Sequence, residues 1–246
     1  CAAVAGGSDA LVVMPTGAGK SLCYQLPGLA RGGTTLVISP LVALIEDQTQ
    51  KLLESGLRAE RIHAGRSREQ SRATCRAYVE GELDFLFVAP ERLGVRGFPE
   101  LLAKRPPTLI AIDEAHCISD WGHDFRPDYR MLSGRLAGLP GVPIVALTAT
   151  ATPRVQADIT QQLGLHDRGR TPETFIFGFR RTNIAVEVVE VPVPERTKQA
   201  MKLLREPGRL PAIVYAPTRK ACELQAKTLG KKLRVGAYHA GLHATE

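Results

Sequence analysis

The chain has 246 residues, 44% hydrophobic and 23% charged, with five cysteines and a formal net charge of +7. This composition excludes a low-complexity or fibrous chain, and no apolar run approaches the roughly eighteen residues of a membrane helix, so no membrane partner is expected. The basic excess is compatible with a polyanion such as nucleic acid without requiring one. Cysteines at 1, 23, 75, 117 and 222 include no C-x-x-C pair, which argues against a disulfide framework, predicts no zinc in this segment and fits a reducing, cytoplasmic compartment.

Residues 1–7 lack the basic flank and long apolar core of a signal peptide. Residues 10–14 form an apolar run that Pro15 interrupts. A turn of Thr16, Gly17, Ala18 and Gly19 then leads to Lys20 and Ser21, after which Leu22, Cys23, Tyr24 and Leu26 resume at helical spacing. The pattern reads as a buried strand, a phosphate cradle and a helix start. Glycines let backbone N–H groups wrap an anion at a helix N-terminus, Lys20 reaches the terminal phosphates, and the Ser21 hydroxyl meets magnesium. Met14 stands where the general phosphate-loop pattern has glycine, so by itself the turn also reads as a chance glycine turn before a lysine.

Further apolar runs at 35–39, 85–89, 109–112 and 144–148, with a lesser one at 61–63, alternate with helical patterns at 41–54, 68–80, 99–104, 129–136 and 153–162. That rhythm predicts an α/β fold, a parallel sheet with helices on both faces. Residues 165–182 are polar and break it. A second, incomplete α/β unit follows, with strands expected at 184–191, 212–216 and 235–238 and helices at 195–206 and 220–229. The expected domains are therefore 1–178 and 179–246, and two or three strands are a poor basis for independent stability.

The run at 109–112 feeds directly into Asp113 and Glu114. Alone, these acids read better as a surface pair. Together with the phosphate loop on the same sheet edge they suit phosphoryl-transfer chemistry, with Asp113 holding magnesium and Glu114 polarising the attacking water.

The segment from Asp113-Glu114-Ala115-His116 through Trp121-Gly122-His123-Asp124-Phe125-Arg126 to Tyr129 resembles the aromatic-rich loop of RecQ-family DNA helicases. Residues 14–27, 37–41 with Asp47-Gln48, 89–93, 146–151 and 238–242 match the same family in order. The resemblance implies two RecA-like P-loop lobes, ATP and Mg2+ as cofactors, and 3′ to 5′ movement on single-stranded DNA with unwinding of tailed or forked duplexes. It also implies action at the nucleoid, or in the nucleus of a eukaryote.

By that resemblance Trp121, His123, Phe125 and Arg126 couple DNA to hydrolysis. Trp121 and Phe125 offer faces to unstacked bases, while Arg126 and His123 meet phosphate or bridge toward Glu114 and His116. A lone Trp and Phe would ordinarily read as core, but their polar neighbours favour exposure. Ser39, Pro40 and Gln48 would lie along the DNA backbone. Thr148 and Thr150 either relay the nucleotide state or cap a turn. His239, Thr218 and Arg219 are second-lobe contacts or solvated surface, and His63 and His166 match nothing.

The family's adenine-reading glutamine segment and its paired arginines fall outside these 246 residues. The expectation for this chain is nucleotide binding with weak or absent unwinding. The alternatives are a nucleotide- and DNA-binding module without turnover, and an RNA helicase.

Overall fold

Seven short strands form one all-parallel sheet in the order β3-β4-β2-β5-β6-β1-β7. In the computed structural model, residues 1–122, 124–169, 171–178 and 184–242 are described. The chain divides into two compact units, Cys1–Arg180 and Arg181–Glu246, and the sheet belongs to the first.

The strands are β1 (Ala10–Val13), β2 (Thr35–Ile38), β3 (Ala59–Ile62), β4 (Phe85–Val88), β5 (Leu109–Ile112), β6 (Ile144–Thr148) and β7 (Glu173–Ile176). The central ones are buried on both faces, which is why they read as continuous apolar runs. Alternate residues feed two cores: Leu11, Val13, Ile110 and Ile112 face one, and Ala10, Val12, Leu109 and Ala111 the other. Helices α1 (Ala2–Ala5), α2 (Leu22–Arg31), α3 (Val42–Glu54), α4 (Arg68–Glu80), α5 (Phe98–Lys104), α6 (Pro127–Arg130), α7 (Leu132–Leu136) and α8 (Pro153–Gln162) connect them. Ser67 and Gln70 form a reciprocal capping box on α4, and the Thr152 hydroxyl accepts from Val155 N–H to start α8.

The expected strands and helices of this unit appear within a few residues of their predicted bounds, with the pattern at 129–136 split between α6 and α7. One strand falls where the rhythm was expected to break. The stretch 165–182 contains β7, which extends the sheet beside β1 with Ala10 opposite Glu173. It is an edge strand with mostly exposed side chains, so it needs no apolar run and leaves no such trace in the sequence.

Asp9, just before β1, is fully buried, and its carboxylate accepts from Ile144 N–H at 2.7 Å and from Arg168 Nε at 3.3 Å. Arg168 also donates to the Val142 carbonyl. A buried charge is tolerable there because its partners satisfy it, and the cluster ties the segment before β7 to β6 and β1.

In the second unit the helices form as α9 (Arg196–Leu204) and α10 (Arg219–Leu229). The strands expected at 184–191, 212–216 and 235–238 do not: these residues carry no ladder among the described residues. Their alternating side chains, among them Val186, Val188, Ile213, Tyr215 and Tyr238, remain exposed. Alternation records the capacity to pair, but a strand also needs a neighbour and a covering layer.

Candidate nucleotide and nucleic-acid site

All seven strands run the same way, so the segments following β1, β2, β4, β5 and β6 open on one sheet edge. After β1, Gly17 and Gly19 take φ of +81° and +85°, a region closed to most side chains, and the turn delivers Lys20 and Ser21 to the start of α2. Met14 N–H donates to the Thr148 carbonyl, joining the loop entrance to β6. Among the described residues, the N–H groups of Gly17, Gly19, Lys20 and Ser21 meet no protein acceptor, so the turn presents donors suited to an anion. Tyr24 is buried one turn into α2, and burial first and then the Asp113 carboxylate raise its phenol well above the usual range.

Asp113 follows β5 directly, its N–H bonded to the Ile38 carbonyl and its own carbonyl accepting from the Tyr129 hydroxyl at 2.9 Å. Burial, and then the adjacent Glu114 carboxylate, push Asp113 up to about 6, partly opposed by the Glu114 N–H, the Lys20 ammonium and His116. The Lys20 charge is thus felt at Asp113, and the sequence-predicted phosphate loop and acids come together. Hard oxygens of Ser21 and Asp113 beside Lys20 fit a magnesium-bound phosphate chain.

Glu114 adopts φ 49° and ψ 44°, the one left-handed non-glycine residue among those described. Such a conformation costs about 1–3 kcal/mol and persists only where surroundings impose it. Here it turns the chain sharply from β5 into a 3-10 turn at Ala115–Ile118. Glu114 Oε2 then lies 3.3 Å from His116 Nδ1, which also lies 3.0 Å from Thr148 Oγ1. Thr148 Oγ1 in turn donates to the Thr150 carbonyl at 3.1 Å and accepts from Thr150 N–H at 3.3 Å. A continuous polar chain therefore runs from the acid to the turn after β6, with Thr148 meeting His116 and capping that turn at once.

The loop beyond is exposed, as its polar neighbours implied: Trp121 is 60% and Phe125 40% accessible. The Arg154 guanidinium, from α8, sits 3.2 Å from the centre of the Trp121 ring. Arg126 does not bridge toward Glu114 or His116. It bonds Asp124 Oδ2 through Nε at 3.2 Å and Nη2 at 3.0 Å, and donates from Nη1 to the Pro40 carbonyl at 2.9 Å. A carboxylate two residues away is the nearer partner. That pairing holds Asp124 below the usual carboxylate range. His123 lies outside the described residues.

The three residues expected along the DNA backbone have these surroundings within the protein. Ser39 continues β2 and is buried with its hydroxyl unpartnered, so it does not face outward. Pro40 contributes its carbonyl to Arg126. Gln48, on α3, accepts from Gln25 of α2 at 3.4 Å. His63 is structural, set 2.7 Å from Glu46 Oε1, while Glu46 Oε2 also accepts from Arg61. In the second unit, the Thr218 hydroxyl caps α10, and His239 Nε2 lies 3.1 Å from Glu223 Oε1.

Sequence reasoning assigned no role to Tyr24, Cys117, Asp124, Tyr129 or Arg154. Nor did it anticipate a cavity of about 790 Å3 whose lining includes Arg66, Arg68, Arg72, Arg92 and Arg96. The absence of C-x-x-C pairs predicted no ligand set, yet ligating atoms of His116, Cys117 and Asp124 converge within 4.8 Å.

The sheet order and the loop-and-acid edge define a RecA-like lobe of P-loop type. Residues 1–159 match the DEAD/DEAH box helicase family, and the chain belongs to that family. It is 41% identical over 239 residues to the ATP-dependent DNA helicase RecQ of Haemophilus influenzae, covering 96% of this chain and 37% of that protein. The Bacillus subtilis protein of the same name is 40% identical across 94% of this chain and 38% of its own length. The ATP-dependent helicase SGS1 of Saccharomyces cerevisiae is 36% identical across 98% of this chain and 17% of its own length. The chain thus spans little more than a third of the bacterial relatives. Among solved structures, the DUF1998 helicase MrfA bound to DNA superposes with a TM-score of 0.72 at 18% identity, covering 99% of this chain and 36% of that one. The Pyrococcus furiosus Hef helicase domain gives 0.52 at 19% identity, covering 94% and 51%. At such identities the structural likeness concerns the fold.

Proposed function

We propose that the chain is the ATP-hydrolysing part of a RecQ-type DNA helicase that moves 3′ to 5′ on single-stranded DNA and opens tailed or forked duplexes in repair and recombination. One observation carries the reading: the Lys20 and Asp113 edge is joined through Glu114, His116 and Thr148 to a segment beside a solvent-facing aromatic loop.

In this reading the N–H groups of Gly17, Gly19, Lys20 and Ser21 cradle the ATP phosphates, with Thr16 and Ala18 shaping the turn. Lys20 neutralises the terminal phosphates. Ser21 and Asp113 are the residues that would hold magnesium, and the ion when bound offsets charge building on the phosphates. Glu114, pinned by its left-handed backbone and His116, orients and polarises the attacking water. His116 passes the state of that site to Thr148 and Thr150.

On the DNA side, Trp121 and Phe125 stack against unpaired bases, and the arginine-lined cavity supplies cations for the backbone. Arg126, tied to Asp124 and Pro40, fixes the loop against the segment after β2. Ser39 contributes by packing; Gln48 and His239 are peripheral nucleic-acid contacts. The site of action is the nucleoid, or the nucleus in a eukaryote.

The test compares ATP hydrolysis by the purified chain with single-stranded DNA, with single-stranded RNA and with neither. DNA is expected to stimulate and RNA not. Greater stimulation by RNA would make this an RNA helicase lobe, and no hydrolysis under any of the three conditions would leave a binding module without turnover.

A further inference from the structure

At the junction of the 3-10 turn and the aromatic loop, His116 Nε2 lies 3.8 Å from Cys117 Sγ, and Cys117 Sγ lies 3.7 Å from Asp124 Oδ2. All three atoms fall within 4.8 Å of one another. A tetrahedral zinc ion, with its sulfur at about 2.3 Å and nitrogen or oxygen at about 2.0–2.2 Å, sets its ligands about 3.5–3.7 Å apart. The two Cys117 spacings exceed this by a few tenths of an ångström at most, and the His116–Asp124 pair, which lies within 4.8 Å, closes by up to about 1.3 Å as the exposed Asp124 carboxylate swings in. We propose that His116, Cys117 and Asp124 form a binding site for a thiophilic divalent cation of the zinc class, with water in the fourth position.

Two features beyond the distances support the site. The His116 ring is fixed from behind, its Nδ1 3.0 Å from Thr148 Oγ1 and 3.3 Å from Glu114 Oε2, so that Nε2 is presented to the thiol. Ligating histidines are oriented in this way, through an oxygen partner on the other ring nitrogen. Cys117 is buried, while the Asp124 side chain is 47% exposed, which leaves a path for an ion and for the water that completes its coordination.

Binding forms one metal–sulfur, one metal–nitrogen and one metal–oxygen contact and releases the Cys117 thiol proton to solvent. Asp124 Oδ2 is also the atom that accepts both Arg126 hydrogen bonds. The ion and the guanidinium therefore compete for one oxygen, and occupancy detaches Arg126 from Asp124. The magnesium that Ser21 and Asp113 would hold is not a rival, because thiolate and imidazole donors suit softer ions. The site would clamp the loop to the end of β5, and its existence does not depend on the ATPase reading.

Cobalt(II) serves as the probe, titrated into the full chain in a non-thiol reductant while the thiolate-to-cobalt charge-transfer band is followed. One equivalent is expected to bind, with the band unchanged by excess magnesium. Cys117→Ser should abolish it, and Asp124→Asn should weaken binding by about tenfold or more. Arg126→Gln should tighten binding by about threefold or more, since it removes the competitor. Asp124 and Arg126 are partly exposed, so those variants carry the test even where Cys117→Ser fails to fold, which a thermal melt shows. The proposal is overturned by the absence of a band in the wild type, by a band that survives Cys117→Ser, or by affinity indifferent to both Asp124→Asn and Arg126→Gln.

Discussion

Replacing Thr148 with valine tests the polar chain between Glu114 and β6. Valine preserves shape at this fully buried position but removes the hydroxyl that meets His116 Nδ1 at 3.0 Å and the Thr150 N–H and carbonyl at 3.3 and 3.1 Å. Thr150 is exposed, so its backbone groups can turn to water. His116 is buried and loses one hydrogen-bond partner, while Glu114 stays 3.3 Å away. One under-satisfied buried group costs about 1–3 kcal/mol. For a domain of this size that lowers the unfolding midpoint by about 2–12 °C. If Thr148 also links the acid to the segment beyond β6, stimulation of ATP hydrolysis by single-stranded DNA falls by about tenfold or more, while nucleotide affinity stays within about threefold. The assays are a thermal melt, nucleotide titration and steady-state hydrolysis with and without DNA. A lowered midpoint with DNA stimulation intact would refute the relay and leave Thr148 a packing residue.

Asp9→Ala should destabilise the first unit by about 3–5 kcal/mol in urea unfolding, because it strands the buried end of Arg168 and the Ile144 N–H; Arg168→Ala made in the Asp9→Ala background should then add little. Trp121→Ala should weaken single-stranded DNA binding by about 1–3 kcal/mol by fluorescence anisotropy, without shifting the thermal midpoint, since the ring is 60% exposed. Asp84 bonds Arg58 through Nη2 at 2.6 Å, and that pairing lowers its carboxyl below the usual range. A depressed carboxyl contributes stability above its unfolded value and loses it as pH falls through the folded one. The gap in unfolding midpoint between wild type and Asp84→Asn should therefore be present at neutral pH and close under acid conditions.

How much of this was readable in advance depended on whether a residue's role is local. The strand–turn–helix around Lys20 is visible because Pro15, Gly17 and Gly19 each impose a backbone preference where they stand. The placement of Asp113 follows from an apolar run ending at an acid, once the sheet is parallel. The left-handed turn at Glu114 was not readable, since glutamate has no preference for that conformation and β5, Tyr129 and His116 impose it together. Arg154 on Trp121 is an encounter between α8 and a loop distant in sequence, of which spacing carries no record, and the pairing of Asp124 with Arg126, two residues apart, depends on the backbone path of the loop. The edge strand β7 escaped notice because it buries little. The alternation at 184–191, by contrast, promised a strand whose partners the described residues do not supply.

The central claim is that Glu114 serves the chemistry of a site which Lys20 and its neighbours build for binding. Measuring nucleotide affinity and DNA-stimulated hydrolysis side by side in wild type and Glu114→Gln addresses it directly. The account predicts affinity within about threefold of wild type and hydrolysis lowered by about two to four orders of magnitude. Equal hydrolysis by both proteins, with stimulation by DNA retained, would contradict it.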